Sequence, residues 1–85
     1  MERYEPKKPQ PIDVHVGSRL KSKRIAIGMS QAALGSAIGV SFQQVQKYES
    51  GTNRLTVGKL LTLTQLLRVP MSYFFRGFAV SERVG

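Results

Sequence analysis

Ser30-Gln31-Ala32-Ala33-Leu34-Gly35-Ser36-Ala37-Ile38-Gly39-Val40-Ser41-Phe42-Gln43-Gln44-Val45-Gln46-Lys47-Tyr48-Glu49 holds two short helical segments parted by a glycine turn. Ser30 is the expected N-cap of the first, Leu34 and Ile38 fall one turn apart on its inner face, and Gly39 supplies the left-handed residue on which helices often end. Ser41 and Gln44 have capping-box spacing, in which the hydroxyl accepts from the Gln44 amide and the Gln44 side chain returns to that of Ser41. Val45 and Tyr48 then face inward, leaving Phe42, Gln43, Gln46 and Lys47 outside. Amides and an ammonium can bond base edges, and an apolar ring can pack on a thymine methyl, in a major groove about 12 Å wide. An ordinary helical hairpin would share this outline, so residue size discriminates. Gly35 carries no side chain where two helices crossing at about 90–120° would collide, and Val45 is spaced to plug the angle.

Working outward, 85 residues make one small all-α domain, and 41% apolar content supports a modest core. The expected stability is about 5 kcal/mol. Thirteen Lys and Arg oppose five Asp and Glu, and the whole net charge of +8 lies between Val14 and Ser81. In that span Arg19, Lys21, Lys23, Arg24, Lys47, Arg54, Lys59, Arg68 and Arg76 face one acid, Glu49, an imbalance that suits a polyanionic partner or a solvated basic surface. Arg24 falls on a mostly apolar helix face and is expected to pair with Glu49.

With no cysteine and one histidine, His15, the chain offers neither thiolate chemistry nor a metal cluster nor a catalytic triad. His15 is expected to be a half-exposed helix residue, and neither enzyme activity nor a cofactor is expected. Pro6, Pro9 and Pro11 stand where a signal peptide needs an apolar core, and no run of apolar residues is long enough to span a bilayer. The expectation is a soluble, cytoplasmic chain with no membrane partner.

Residues 1–12 combine three prolines with alternating charge and are expected to form an extended, flexible tail. Asp13 is the expected N-cap of a first helix that runs to Ile27 and closes on Gly28, with Val16, Leu20 and Ile27 inside and Arg19, Lys21 and Lys23 largely outside. After a turn-rich loop at 50–54, Thr56 can cap a fourth helix carrying Leu60, Leu63 and Leu67 inward, which Pro70 ends. A last short helix from Met71 to about Arg76 holds Tyr73, Phe74 and Phe75, and residues 79–85 form a C-terminal tail after a domain spanning 13–78. Neither a strand nor an internal repeat is expected.

Four marks then coincide: Ser18-Arg19-Leu20-Lys21-Ser22-Lys23-Arg24-Ile25, Ser30-Gln31-Ala32, Gly39-Val40-Ser41 and Tyr48-Glu49-Ser50-Gly51. On them the segment Ser18 to Phe75, about two-thirds of the chain, resembles the Cro/CI-type (Xre) helix-turn-helix family, which includes the lambdoid phage repressors. The resemblance implies a compact five-helix lambda-repressor-like domain that binds a double-stranded DNA operator as a symmetric dimer, third helix in the major groove, with half-sites about 10–10.5 base pairs apart. It also implies that Arg24 and Glu49 form an interior salt bridge.

By position the resemblance gives base reading to Phe42, Gln43 and Lys47, with Gln46 or Gln44 as further candidates. It gives phosphate contact to Gln31, which would also steady the base-reading glutamine, and the phosphate candidates extend to Ser41, Thr52, Asn53 and Arg54. Phe42 departs from the polar residue often found there and fits either a thymine methyl or a protein partner. Met71, Tyr73, Phe74, Phe75 and Phe78 fit core packing, or a homodimer contact through the last helix (Tyr73, Phe74, Phe75). The expected function is transcriptional regulation, as a repressor. A second reading is an adaptor or antitoxin using the same fold for protein contact, while structured RNA is disfavoured because its narrow major groove does not admit a reading helix.

Overall fold

The computed structural model describes residues 9–78, which form α1 (Pro11–Ala26), α2 (Gln31–Ile38), α3 (Phe42–Ser50), α4 (Val57–Leu67) and a closing 3-10 turn, Met71–Phe75. The expected tails fall largely outside the described residues. No strand occurs among the described residues.

Local chemistry accounts for most element boundaries. Ser30, Ser41 and Thr56 each take an extended backbone and accept, through the side-chain oxygen, the amide of the residue three positions on, at 3.0, 3.1 and 3.1 Å. At Ser41 this is one half of the expected box. The Gln44 side chain makes no return bond among the described residues. Gly39 closes α2 at φ +79°, and its amide bonds the Gly35 carbonyl.

Three boundaries differ from expectation. α1 opens at Pro11, with Gln10 as N-cap and no side-chain cap. Proline at the first helical position has its φ already set and lacks only an N–H that would find no intrahelical partner there. Asp13 is therefore inside the first turn and turned toward Arg54 rather than capping, while Ile12, expected in the tail, packs on the core. At the other end the helix stops at Ala26, which leaves Ile27 47% exposed instead of on the buried stripe. α4 likewise ends at Leu67, before Pro70, because Arg68 turns left-handed at φ 58°.

The core is Val16 and Leu20 of α1, Leu34 and Ile38 of α2, Val45 and Tyr48 of α3, Leu55, and Leu60, Leu63 and Leu67 of α4, with Phe74 sealing it from the closing turn. Phe74 is wholly inaccessible, which removes it from the expected dimer contact. Arg19 is not simply outside: its guanidinium stacks 3.9 Å above the Tyr73 ring, Nε donates to the Tyr73 carbonyl at 2.9 Å, and the Tyr73 hydroxyl donates back to the Arg19 carbonyl at 3.2 Å. His15, half-buried as expected, donates from Nε2 to the Arg76 carbonyl at 2.8 Å, and its ring lies 5.3 Å from that of Phe78.

Close backbone approach sets the positions of α2 and α3. A Cβ added to Gly35 would lie 2.6 Å from the Val40 carbonyl oxygen, which bears out the size reading. The sequence reading missed Gly17. A Cβ there would lie 2.7 Å from the Glu49 carbonyl oxygen and closer still to that of Tyr48, so α1 and the end of α3 meet backbone to backbone. Gly51, at φ +82°, repeats the contact beside Val14.

Candidate nucleic-acid interface

With α3 fixed from behind by Val45, Tyr48 and Gly17, its outer surface is what the domain displays. Phe42, Gln43, Gln46 and Lys47 are all exposed on α3, so the four expected base-reading side chains are brought together; Gln44 is half-buried to one side. The surface offers two amides, one ammonium and one ring that is 46% exposed. It carries no carboxylate. Ser41 is exposed at the N-terminal end of the same helix, where the unbonded first-turn N–H groups favour an anion.

The only acids among the described residues are Asp13 and Glu49, and both are buried within ion pairs. Arg24 donates to Glu49 through Nε (2.6 Å to Oε2) and Nη2 (3.0 Å to Oε1), while Nη1 donates to the Met29 carbonyl at 2.9 Å. This fork is the expected interior salt bridge. Its hydrogen bond to Glu49 holds the Arg24 pKa above the ordinary arginine value, against the opposing effect of burial and with the added attraction of the Glu49 charge.

Of the expected phosphate residues, Gln31 and Arg54 are engaged inside the protein. Gln31 Nε2 donates to Glu49 Oε1 at 3.0 Å, and Gln31 Oε1 accepts from Gln46 Nε2 at 3.2 Å. The glutamine that Gln31 steadies is thus Gln46, not Gln43. Arg54 is half-exposed and forks onto Asp13, Nε to Oδ1 at 2.9 Å and Nη2 to Oδ2 at 3.1 Å. In the loop after α3, Thr52 is exposed with its hydroxyl 2.8 Å from that of Ser50, and Asn53 is half-buried with its backbone N–H donating to the Lys47 carbonyl at 3.2 Å. The Asp13–Arg54 pair left no sequence signal because its partners are 41 positions apart. Gly17 did leave one, a lone glycine inside a helical pattern, which marks close packing.

A groove of about 260 Å³ lies between α1 and the loop before α4, lined by Val16, Tyr48, Leu55 and Leu60 together with Asp13 and Arg54. Among the described residues, no group could hold a metal ion and no helix is long and apolar enough to cross a membrane.

Comparison with known proteins agrees with the geometry. Residues 20–74 match a protein-family model described as helix-turn-helix. An uncharacterized HTH-type transcriptional regulator of Sinorhizobium medicae is 55% identical over 69 residues, 81% of this chain and 50% of the relative. The chain thus spans about half the length of these curated relatives. Among solved structures, the restriction-modification controller protein C.AhdI from Aeromonas hydrophila superposes with a TM-score of 0.67 at 29% identity, covering 73% of this chain and 94% of that one. The P22 c2 repressor in complex with a synthetic operator superposes with a TM-score of 0.66 at 29% identity and the same coverage.

Proposed function

The chain belongs to the Cro/CI-type (Xre) helix-turn-helix family of DNA-binding transcriptional regulators, and on that premise we propose that it binds a specific double-stranded operator as a cytoplasmic homodimer and acts as a repressor. One observation carries the sequence-specific part of this reading. α3 exposes Phe42, Gln43, Gln46 and Lys47 side by side with no acid among them, on a helix whose back is fixed to α1 by the Gly17 contact. In the proposed complex α3 enters the major groove. Gln43 pairs with adenine, Lys47 donates to guanine O6 and N7, and Phe42 packs on a thymine methyl. Ser41, Thr52 and Asn53 approach phosphate, joined by Gln31 and Arg54 with whatever donor capacity their internal bonds leave.

Repression is supported by the resemblance to the P22 c2 repressor, whose solved structure holds an operator. For the dimer contact, Phe75 is 41% exposed and Tyr73 half-buried, whereas Phe74 is unavailable. Val57 and Leu61 of α4, 77% and 53% exposed, add apolar surface. That same surface favours the second reading, an adaptor or antitoxin that binds protein.

Selection from random duplex DNA at about physiological salt, followed by salt titration of the winner, separates the two. Operator binding predicts a two-fold symmetric consensus and, for about six phosphate contacts, a log–log salt slope of roughly −5. Uniform, salt-sensitive binding to every duplex would remove sequence-specific regulation, and salt-insensitive association with protein alone would favour the adaptor.

A further inference from the structure

We propose that Gln46 is a specificity-determining residue that selects adenine over guanine, and that the buried Arg24–Glu49 pair sets this choice through Gln31. The proposal rests on the reading that α3 enters the major groove. Glu49, forked by a permanently charged guanidinium, is an acceptor only. Gln31 must therefore turn its NH2 group toward Glu49 Oε1, at 3.0 Å, which aims its own carbonyl oxygen away. That oxygen can be satisfied only by a donor. Gln46 supplies one from Nε2 at 3.2 Å, so its amide orientation is fixed in turn.

What Gln46 shows to the outside is then one carbonyl acceptor and the single N–H not used on Gln31. This pattern complements adenine, whose major-groove edge offers the N6 donor beside the N7 acceptor. Guanine offers two acceptors, N7 and O6, and asks for two donors. A free glutamine can meet that demand by turning its NH2 group, with both N–H donors, toward N7 and O6. Gln46 can do so only by breaking its bond to Gln31. The side chain of Gln43, three positions earlier, makes no hydrogen bond among the described residues and keeps the freedom to rotate. Gln31 and Glu49 thus act as positioning residues, and the discrimination is sharper under Gln46 than under Gln43.

The test is selection of bound sequences with the intact chain and three variants, compared column by column. Gln46→Met, on an exposed position, identifies its column as the one where adenine is lost. Gln31→Met keeps the volume, leaves both Arg24 bonds to Glu49, and should lower the adenine-over-guanine ratio at that column about tenfold while other columns hold. Gln43→Met should alter a different column, one more tolerant of guanine in the unsubstituted chain. A Gln31→Met consensus unchanged at the Gln46 column would overturn the proposal while leaving operator binding intact. Equal loss at every column, with a lowered melting temperature, would reduce Gln31 to a structural role and likewise overturn it. If the unsubstituted chain selects no sequence, the reading of α3 falls and the proposal falls with it.

Discussion

Asp13 and Arg54, 41 positions apart, form a two-pronged ion pair that ties the first turn of α1 to the loop leaving α3. The carboxylate is buried and the Arg54 side chain 45% exposed, so solvent screens part of the attraction. Arg54→Ala removes the fork from a buried carboxylate and is expected to cost about 1–2 kcal/mol. For a domain of this size that is a fall in melting temperature of roughly 4–15 °C. Arg54→Lys keeps the charge but not the fork and should recover only part of the loss. A melting temperature unmoved by Arg54→Ala would mean that the pair contributes nothing to stability.

The Arg24–Glu49 pair is more deeply buried, with side chains 11% and 3% exposed. Removing one partner leaves the other charge in the interior, so Arg24→Met should destabilise by about 3–5 kcal/mol. Replacing both, as Arg24→Met with Glu49→Leu, should recover much of that loss. Denaturant titration of the two single variants and the double variant measures the coupling, and simple additivity would contradict it.

A pH dependence follows from the same guanidinium. Its pKa is raised on folding, so its contribution is complete below the unfolded value and is lost only as pH climbs through the folded one. Both values lie well above the physiological pH range. The stability difference between the unsubstituted chain and Arg24→Met should therefore stay constant from about pH 7 to pH 10. A steady decline across that window, followed by thermal melting, would assign the difference to another group.

Two glycines should respond oppositely to the same change. Gly17→Ala forces a methyl group onto the backbone of α3, with Glu49 oxygen 2.7 Å from the new carbon, and should destabilise by about 1–3 kcal/mol or more. Gly58, inside α4, would place its methyl no nearer than 3.9 Å to a neighbour. Gly58→Ala should stabilise by about 0.4–1 kcal/mol by restricting the unfolded chain. Parallel melting curves decide this, and equal shifts would refute the packing account.

What could be read in the sequence was set by local chemistry. Ser30, Ser41 and Thr56 cap helices because each oxygen meets an amide three residues away, and Leu60, Leu63 and Leu67 are buried because their spacing follows the helix. Arg24–Glu49 is long-range yet was legible, since a lone acid in a basic span leaves little choice of partner. Asp13 was misread for the converse reason. It has the chemistry of a cap, but a cation brought near by folding outcompeted that role, while Pro11 began the helix without one. The burial of Phe74, between half-buried Tyr73 and exposed Phe75, depends on how the 3-10 turn sits on α1, and no short-range pattern encodes that. Of the four candidate base readers, grouping on α3 was legible. The tether on Gln46 was not, because it passes through residues of two other helices.

The withdrawal of Asp13 and Glu49 into the interior has a colloidal consequence. Among the described residues every exposed ionised side chain is a cation, so neighbouring copies of this surface repel one another, and that repulsion acts over about 10 Å at 0.1 M salt. Added salt removes it along with the pull on any polyanion. Conditions that strip nucleic acid from the domain are thus also those in which its copies approach each other most freely.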